Sequence, residues 1–170
     1  KDPRALRRYV RAGFDLFPQI DAAGPADASR LDRPDRPIRA GVPADRELAD
    51  EVDRAVRGAA RGPDHEFLAL SARMYVADVG SARGYAYLTA EGRVLSVTAT
   101  DDATAAALLT HCLRTDDVPT AERTIEHISG EQQWAVLIAV TAGLRLASGG
   151  PVFWRGRTPP RAHLPNGAVL

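Results

Sequence analysis

Cys112 directly follows His111, which sets a thiol and an imidazole side by side in the chain. A Cys–His pair acts as a nucleophile only when the two groups converge and a third group orients the imidazole. No orienting group is apparent, and the apolar spacing puts Cys112 on the core face of a helix. The histidines at 65, 111, 127 and 163 lack metal-ligand spacing, so His65, His111, His127 and His163 imply no metal. Asp64, His65 and Glu66 could hold an ion, but they read more simply as a helix start. Arg155 and Arg157 beside Trp154 could hold a phosphate or carboxylate; the alternative is a solvated strand end. Arg4, Arg7, Arg8 and Arg11 form one basic helix face, which suits water or contact with another domain better than nucleic acid. In Asp101-Asp102-Ala103-Thr104-Ala105-Ala106, the acids suit a helix cap and first turn.

The elements that must position these groups follow from periodicity and punctuation. Residues 2–12 read as a helix, with Asp2 as its cap, Pro3 at its first position and Gly13 as its stop. A short strand, 14–17, follows. Residues 23–37 carry Gly24, Pro25, Pro34 and Pro37 and read as a linker. After a short strand at 38–40, Leu48, Val52 and Val56 place a helix over 45–60, with a shorter one at 66–71. Strands at 74–79, 84–89 and 93–100 are joined by short turns and form an antiparallel meander. A helix at 101–113 leads to a strand at 124–128, which implies a right-handed parallel crossover. Ser129 and Gln132 form a capping box for a helix that ends at Gly143. Strands at 144–147 and 152–154 close the series, and the proline-rich tail reads as irregular.

An internal repeat runs through this pattern. Val10-Arg11-Ala12-Gly13-Phe14-Asp15-Leu16 matches Val140-Thr141-Ala142-Gly143-Leu144-Arg145-Leu146 at an offset of 130 residues, and Ala5 falls on Ala135. An offset of one domain length points to two consecutive domains of one fold. The expected organisation is therefore the terminal helix and strand of a first repeat over 1–22, the linker over 23–37, and a complete second domain over 38–170. The body of the first repeat would lie upstream.

The composition bounds the rest. Over 170 residues, 22 basic side chains balance 22 acidic ones. Zero net charge gives no reason to expect nucleic acid or an anionic membrane surface. Cys112 is the single cysteine, so an intrachain disulfide is excluded, and this fits a reducing cytoplasm. The longest apolar run, Trp134 to Val140, is too short to span a bilayer.

The order β-α-α-β-β-β-α-β-α-β-β over residues 38–156 resembles the GNAT-type N-acetyltransferases, an α/β fold with a mixed sheet. Residues 2–14 resemble the family's late signature, Asn, then Ala, then Tyr-x-x-x-Gly-Phe, with Asp2 in place of Asn. Gly150-Pro151-Val152-Phe153 and Leu164-Pro165-Asn166-Gly167 add a likeness to tandem GNAT proteins of GC-rich bacteria. The resemblance implies direct attack of an amine on acetyl-CoA. It also implies phosphates bound on backbone amides at the start of the helix after the fourth strand, and a proton supplied by a late-helix tyrosine. Tyr9 holds that tyrosine's position in the first repeat; the second repeat has Ala139 there. The family's Gln/Arg-x-x-Gly-x-Gly/Ala loop is missing, because Asp101, Asp102, Ala103, Thr104, Ala105 and Ala106 offer two carboxylates and no glycine. The implied function is acetyl transfer by the intact protein, with acetyl-CoA bound in the upstream repeat and this chain in support. The alternatives are a non-catalytic module that dimerises or binds a small ligand between the splayed fourth and fifth strands, and an autonomous acetyltransferase with an unusual loop.

Overall fold

The computed structural model describes residues 2–167. Its elements in chain order are α1 (Pro3–Arg11), β1 (Asp15–Phe17), β2 (Gln19–Pro25), β3 (Arg39–Ala40), α2 (Arg46–Arg57), α3 (Asp64–Ser71), β4 (Ala72–Val79), β5 (Ala82–Thr89) and β6 (Arg93–Ala99). There follow α4 (Asp102–Arg114), β7 (Glu122–Ser129), α5 (Gln133–Thr141), β8 (Arg145–Ser148), β9 (Val152–Trp154) and β10 (His163–Leu164). The chain is thus a mixed α/β structure. No helix among the described residues is long and apolar enough to cross a membrane.

One sheet runs in the order β3-β4-β5-β6-β7-β2-β8, with β10 also paired to β6; β1 and β9 form a separate two-stranded ribbon. The meander β4-β5-β6 is antiparallel, whereas β6 and β7 are parallel, as an intervening helix requires. Successive side chains of a strand point to opposite faces, and here both faces are covered. Val76, Tyr85 and Tyr87 pack under Leu48, Ala49 and Val52 of α2 and Leu68 of α3. Tyr75, Ala77, Ala86 and Leu88 face the other way, toward Leu108, Leu109 and Cys112 of α4 and Ala135 and Ala139 of α5. Each valine or leucine side chain among these contributes about 1.5–3 kcal/mol when fully buried.

The two matched helix ends have the same backbone. Gly13 and Gly143 are left-handed, with φ of 81° and 85°, a conformation that favours glycine. Phe14 N–H donates to Tyr9 O at 3.1 Å, and Leu144 N–H donates to Ala139 O at 2.9 Å. Gly13 N–H reaches Val10 O and Gly143 N–H reaches Val140 O, both at 3.0 Å.

Three local expectations change. The segment read as a linker begins inside β2, which runs to Pro25 and is held by β7 on one side and β8 on the other. Its proline, glycine and alanines give it little intrinsic strand preference, so pairing decides its conformation. The tail is not irregular throughout, because His163–Leu164 is a strand. Finally, α5 starts at Gln133, so Ser129 lies ahead of its cap. The Gln132 side chain still reaches back and accepts from Ser129 N–H at 2.9 Å.

Candidate functional site

β6 and β7 are paired only at Arg93–Thr124 and Val94–Ile125. Beyond that point they splay, and α4 starts at the open end of the gap. The resemblance drawn from the sequence would put an acyl-CoA in this gap. The other edge of β6 is occupied by β5 along Gly84–Ala99 and Ala86–Val97. The strand β10 pairs with β6 through His163–Thr98 and Leu164–Val97, so it must lie on the β7 side, in the splay.

The tail is fixed there along its length. Ala99 N–H donates to Ala162 O at 3.0 Å. Ser96 Oγ donates to Leu164 O at 3.0 Å. Gln132 Nε2 and Trp134 Nε1 donate to Pro160 O and Arg161 O, each at 2.9 Å. Leu164 joins the core on the α4–α5 side. His163, also buried, bonds Thr98 Oγ1 through Nδ1 at 3.0 Å. Burial, followed by the charges of Arg61 and Arg57, pushes its pKa down to about 3. A small pocket remains between Arg93, Glu126, His127 and the tail residues Pro165 and Asn166.

The start of α4 is closed as well. Asp101 caps the helix: its Oδ1 accepts Thr104 N–H at 2.8 Å and its Oδ2 accepts Thr104 Oγ1–H at 2.6 Å. Burial alone would raise the Asp101 pKa, but the Thr104 hydrogen bonds and Arg36 hold it low. The Arg36 guanidinium lies 3.6 Å from Asp101, and Arg161 of the tail lies 2.8 Å from Asp102. This revises the expectation drawn from the two carboxylates. The two carboxylates do not stand bare against an incoming pyrophosphate, since each has an arginine beside it. The Thr104 amide is taken by Asp101, and the gap is filled by the tail strand. Ala103, Ala105 and Ala106 bring no glycine that would allow a closer backbone approach. The residues of this gap do not fit acetyl-CoA, because the tail strand lies in it and the carboxylates at the start of α4 are capped and paired.

Tyr9 lies elsewhere, on the exposed α1. Its ring packs on Phe153 of β9 at 4.7 Å and on Phe14 at 5.7 Å between centroids. Its counterpart Ala139 is fully buried.

The remaining candidates are placed as follows. Cys112 is fully buried, and burial pushes its thiol up to about 12, so it carries no thiolate. The His111 ring packs edge-on against Tyr75, 4.6 Å between centroids. Arg157 stacks over Trp154 at 5.1 Å and Arg155 over Phe14 at 5.9 Å. Glu66 pairs with Arg46, and Asp64 opens α3.

His65 turns inward and joins a group that the sequence reading did not assemble. His65, Asp53 and Asp50 bring one ligand-type atom each within 4.8 Å of one another. His65 Nε2 is 3.1 Å from Asp53 Oδ2, and Tyr85 O–H donates to Asp53 Oδ1 at 2.7 Å. Arg57 and Arg61 lie 3.7 and 3.8 Å from Asp53. Burial raises the Asp53 pKa, but the His65 and Tyr85 hydrogen bonds and the two arginines outweigh it and leave it low. Asp53 is thus a buried anion neutralised by protein cations, which makes the cluster a structural clamp between α2, α3 and β5. Asp50, Asp53 and His65 belong to two successive helices, and only their packing reveals the convergence.

No family model matches the sequence, and no curated protein matches it. Among solved structures, the chain is similar to that of a "Putative Acetyltransferase from PYROCOCCUS HORIKOSHII", with a TM-score of 0.62 and 14% sequence identity. The similarity covers 94% of this chain and 52% of the other, so the chain spans about half the length of that protein. At this identity the likeness concerns the fold alone: the chain shares its mixed α/β fold with about half of that protein.

Proposed function

We infer that the chain is the C-terminal, supporting part of a GNAT-type N-acetyltransferase, and that acetyl-CoA binds in an upstream repeat. In this reading the neutral amine attacks the thioester carbonyl, the carbon–nitrogen bond forms as the carbon–sulfur bond breaks, Tyr9 passes its phenolic proton to the departing thiolate, and the proton lost by the acylated nitrogen returns through water to the tyrosinate. The unit 38–170 has no acetyl-CoA site of its own. The observation that carries the reading is the tail strand between β6 and β7, with Arg161 against Asp102 at the start of α4. The repeated helix–glycine–strand segment and the half-length match to an acetyltransferase-type fold support the tandem part.

The test has two arms. Calorimetry of this chain with acetyl-CoA should show no binding; tight binding would remove the central claim. In the protein that includes the upstream sequence, Tyr9→Phe should lower acetyl transfer by about 10²-fold or more. An unchanged rate would take Tyr9 out of the reaction.

A further inference from the structure

The large sheet closes without its tail. β6 pairs with β5 from Gly84–Ala99 to Leu88–Val94 and with β7 at the root of the gap, and β7 pairs with β2. To this ladder β10 adds two residue pairs on β6. The chain reaches the gap through Arg155, Gly156, Arg157 and Thr158, which are exposed, and Gly156 turns there with φ of 75°. Pro159, Pro160 and Pro165 bracket the strand and have no amide to give to a ladder. The tail is gripped mainly by its carbonyls, which accept from Gln132, Trp134, Ser96 and the Ala99 amide. A segment with so few ties can open while exposing far less surface than the whole chain would.

His163 makes this seat sensitive to acid. Its ring meets Trp154 of β9 edge to face, 6.3 Å between centroids. The charges that face it are Arg57 and Asp53 of α2 and Arg61 of the loop that follows. The Tyr85 hydroxyl gives its proton to Asp53 Oδ1, so its oxygen accepts from Thr98, its cross-strand partner. Thr98 Oγ1 in turn accepts from His163 Nδ1–H. The seated ring is therefore neutral, with its proton on Nδ1, at the head of a hydrogen-bond chain that points toward Asp53. A second proton would create a buried cation beside two guanidiniums. The carboxylate of Asp53 offers little relief, because Arg57, Arg61 and His65 already share it.

We propose that residues 159–167 form a strap that leaves the gap between β6 and β7 as a unit, with the sheet intact, and that acid holds it open through His163. The proton adds only to the released strap. Between the ordinary histidine value and the seated value of about 3, each pH unit downward therefore multiplies the open population by about ten. Release exposes the gap-facing edge of β6 together with the Ser96, Gln132 and Trp134 donors that the tail's carbonyls now occupy. The strap is thus a gate on the gap.

Amide hydrogen exchange of the 170-residue chain tests this. The Ala99 amide, which donates to Ala162 O, reads the strap, and the amides of the β4–β5 ladder read the sheet. At pH 6 the opening constant at Ala99 should exceed those of the β4–β5 ladder by at least about 100-fold. It should rise about ten-fold per pH unit down to pH 4.5, and in His163→Gln it should lose that rise. Equal opening constants at Ala99 and in the β4–β5 ladder overturn the proposal, because the tail would then leave only with the whole sheet. A flat pH profile at Ala99 in the parent chain, or an unaltered slope in His163→Gln, overturns it as well. The first two comparisons need no substitution, so they decide the matter even where the variant does not fold. Calorimetry with acetyl-CoA at neutral pH, where the strap is shut, reads the supporting-domain proposal separately.

Discussion

The Arg161 guanidinium meets the Asp102 carboxylate at 2.8 Å, which ties the tail to the first turn of α4. The pair is mostly exposed on the arginine side, so its own contribution is small, about 0–1 kcal/mol. What holds the tail is the buried stretch behind it. Leu164→Ala should cost about 2–4 kcal/mol in urea denaturation, whereas Arg161→Ala should cost under about 1 kcal/mol. The reverse order would mean that the ion pair, not the strand, seats the tail.

His163 sets a pH dependence. The unfolded chain takes up a proton near the ordinary histidine value, whereas the folded site resists until about 3. Between those values protons bind preferentially to the unfolded chain, so stability falls as pH falls. The slope from this one group is about 1.4 kcal/mol per pH unit. His111, whose pKa is lowered mainly by burial, adds in the same direction. The depressed carboxylates Asp53 and Asp101 enter only below their ordinary value. In His163→Gln the slope of the unfolding free energy between pH 6 and pH 4 should drop by about one proton; an unaltered slope would place the titration elsewhere.

Asp53 is fully buried among cations and hydrogen-bond donors. Removal of one member of such a cluster leaves uncompensated buried charge. Asp53→Ala should destabilise by about 3–5 kcal/mol in thermal or denaturant unfolding. A change below about 1 kcal/mol would show that the clamp is not tied through Asp53.

Gly92 turns the chain into β6 with φ of 85°, and a Cβ there would come within 1.9 Å of the Glu122 carbonyl oxygen. That oxygen belongs to backbone and cannot rotate away. Gly92→Ala should therefore cost more than about 2 kcal/mol, with strain and clash together. A stability equal to that of the parent chain would disprove the close approach of this turn to β7.

Cys112 should label only through unfolding. Its thiol is fully buried and held up to about 12, so alkylation under native conditions should lag that of the denatured chain by at least about 10³-fold. Rapid native labelling would reopen Cys112 and His111 as a reactive pair.

The sequence by itself determined the elements with strong local signals. Asp2 and Asp101 cap their helices through their own carboxylates, and Gly13 and Gly143 end helices because both are left-handed there. The meander was legible because alternation in Tyr75-Val76-Ala77 and Tyr85-Ala86-Tyr87 has the period of a strand. Caps, stops and periodicity act within a few residues, so a linear reading reaches them. Which edge receives which strand depends on surfaces far apart in the chain. Gly24 and Pro25 disguised β2, and Pro159, Pro160 and Pro165 disguised the tail, because both become strands only where an open edge supplies their hydrogen bonds. Only the tertiary structure decided that the tail occupies the gap between β6 and β7, that His65 meets Asp53, and that β2 pairs with β8 while β9 pairs with β1. Pairing and burial override weak local preference when the unsatisfied backbone of an open edge would otherwise cost more.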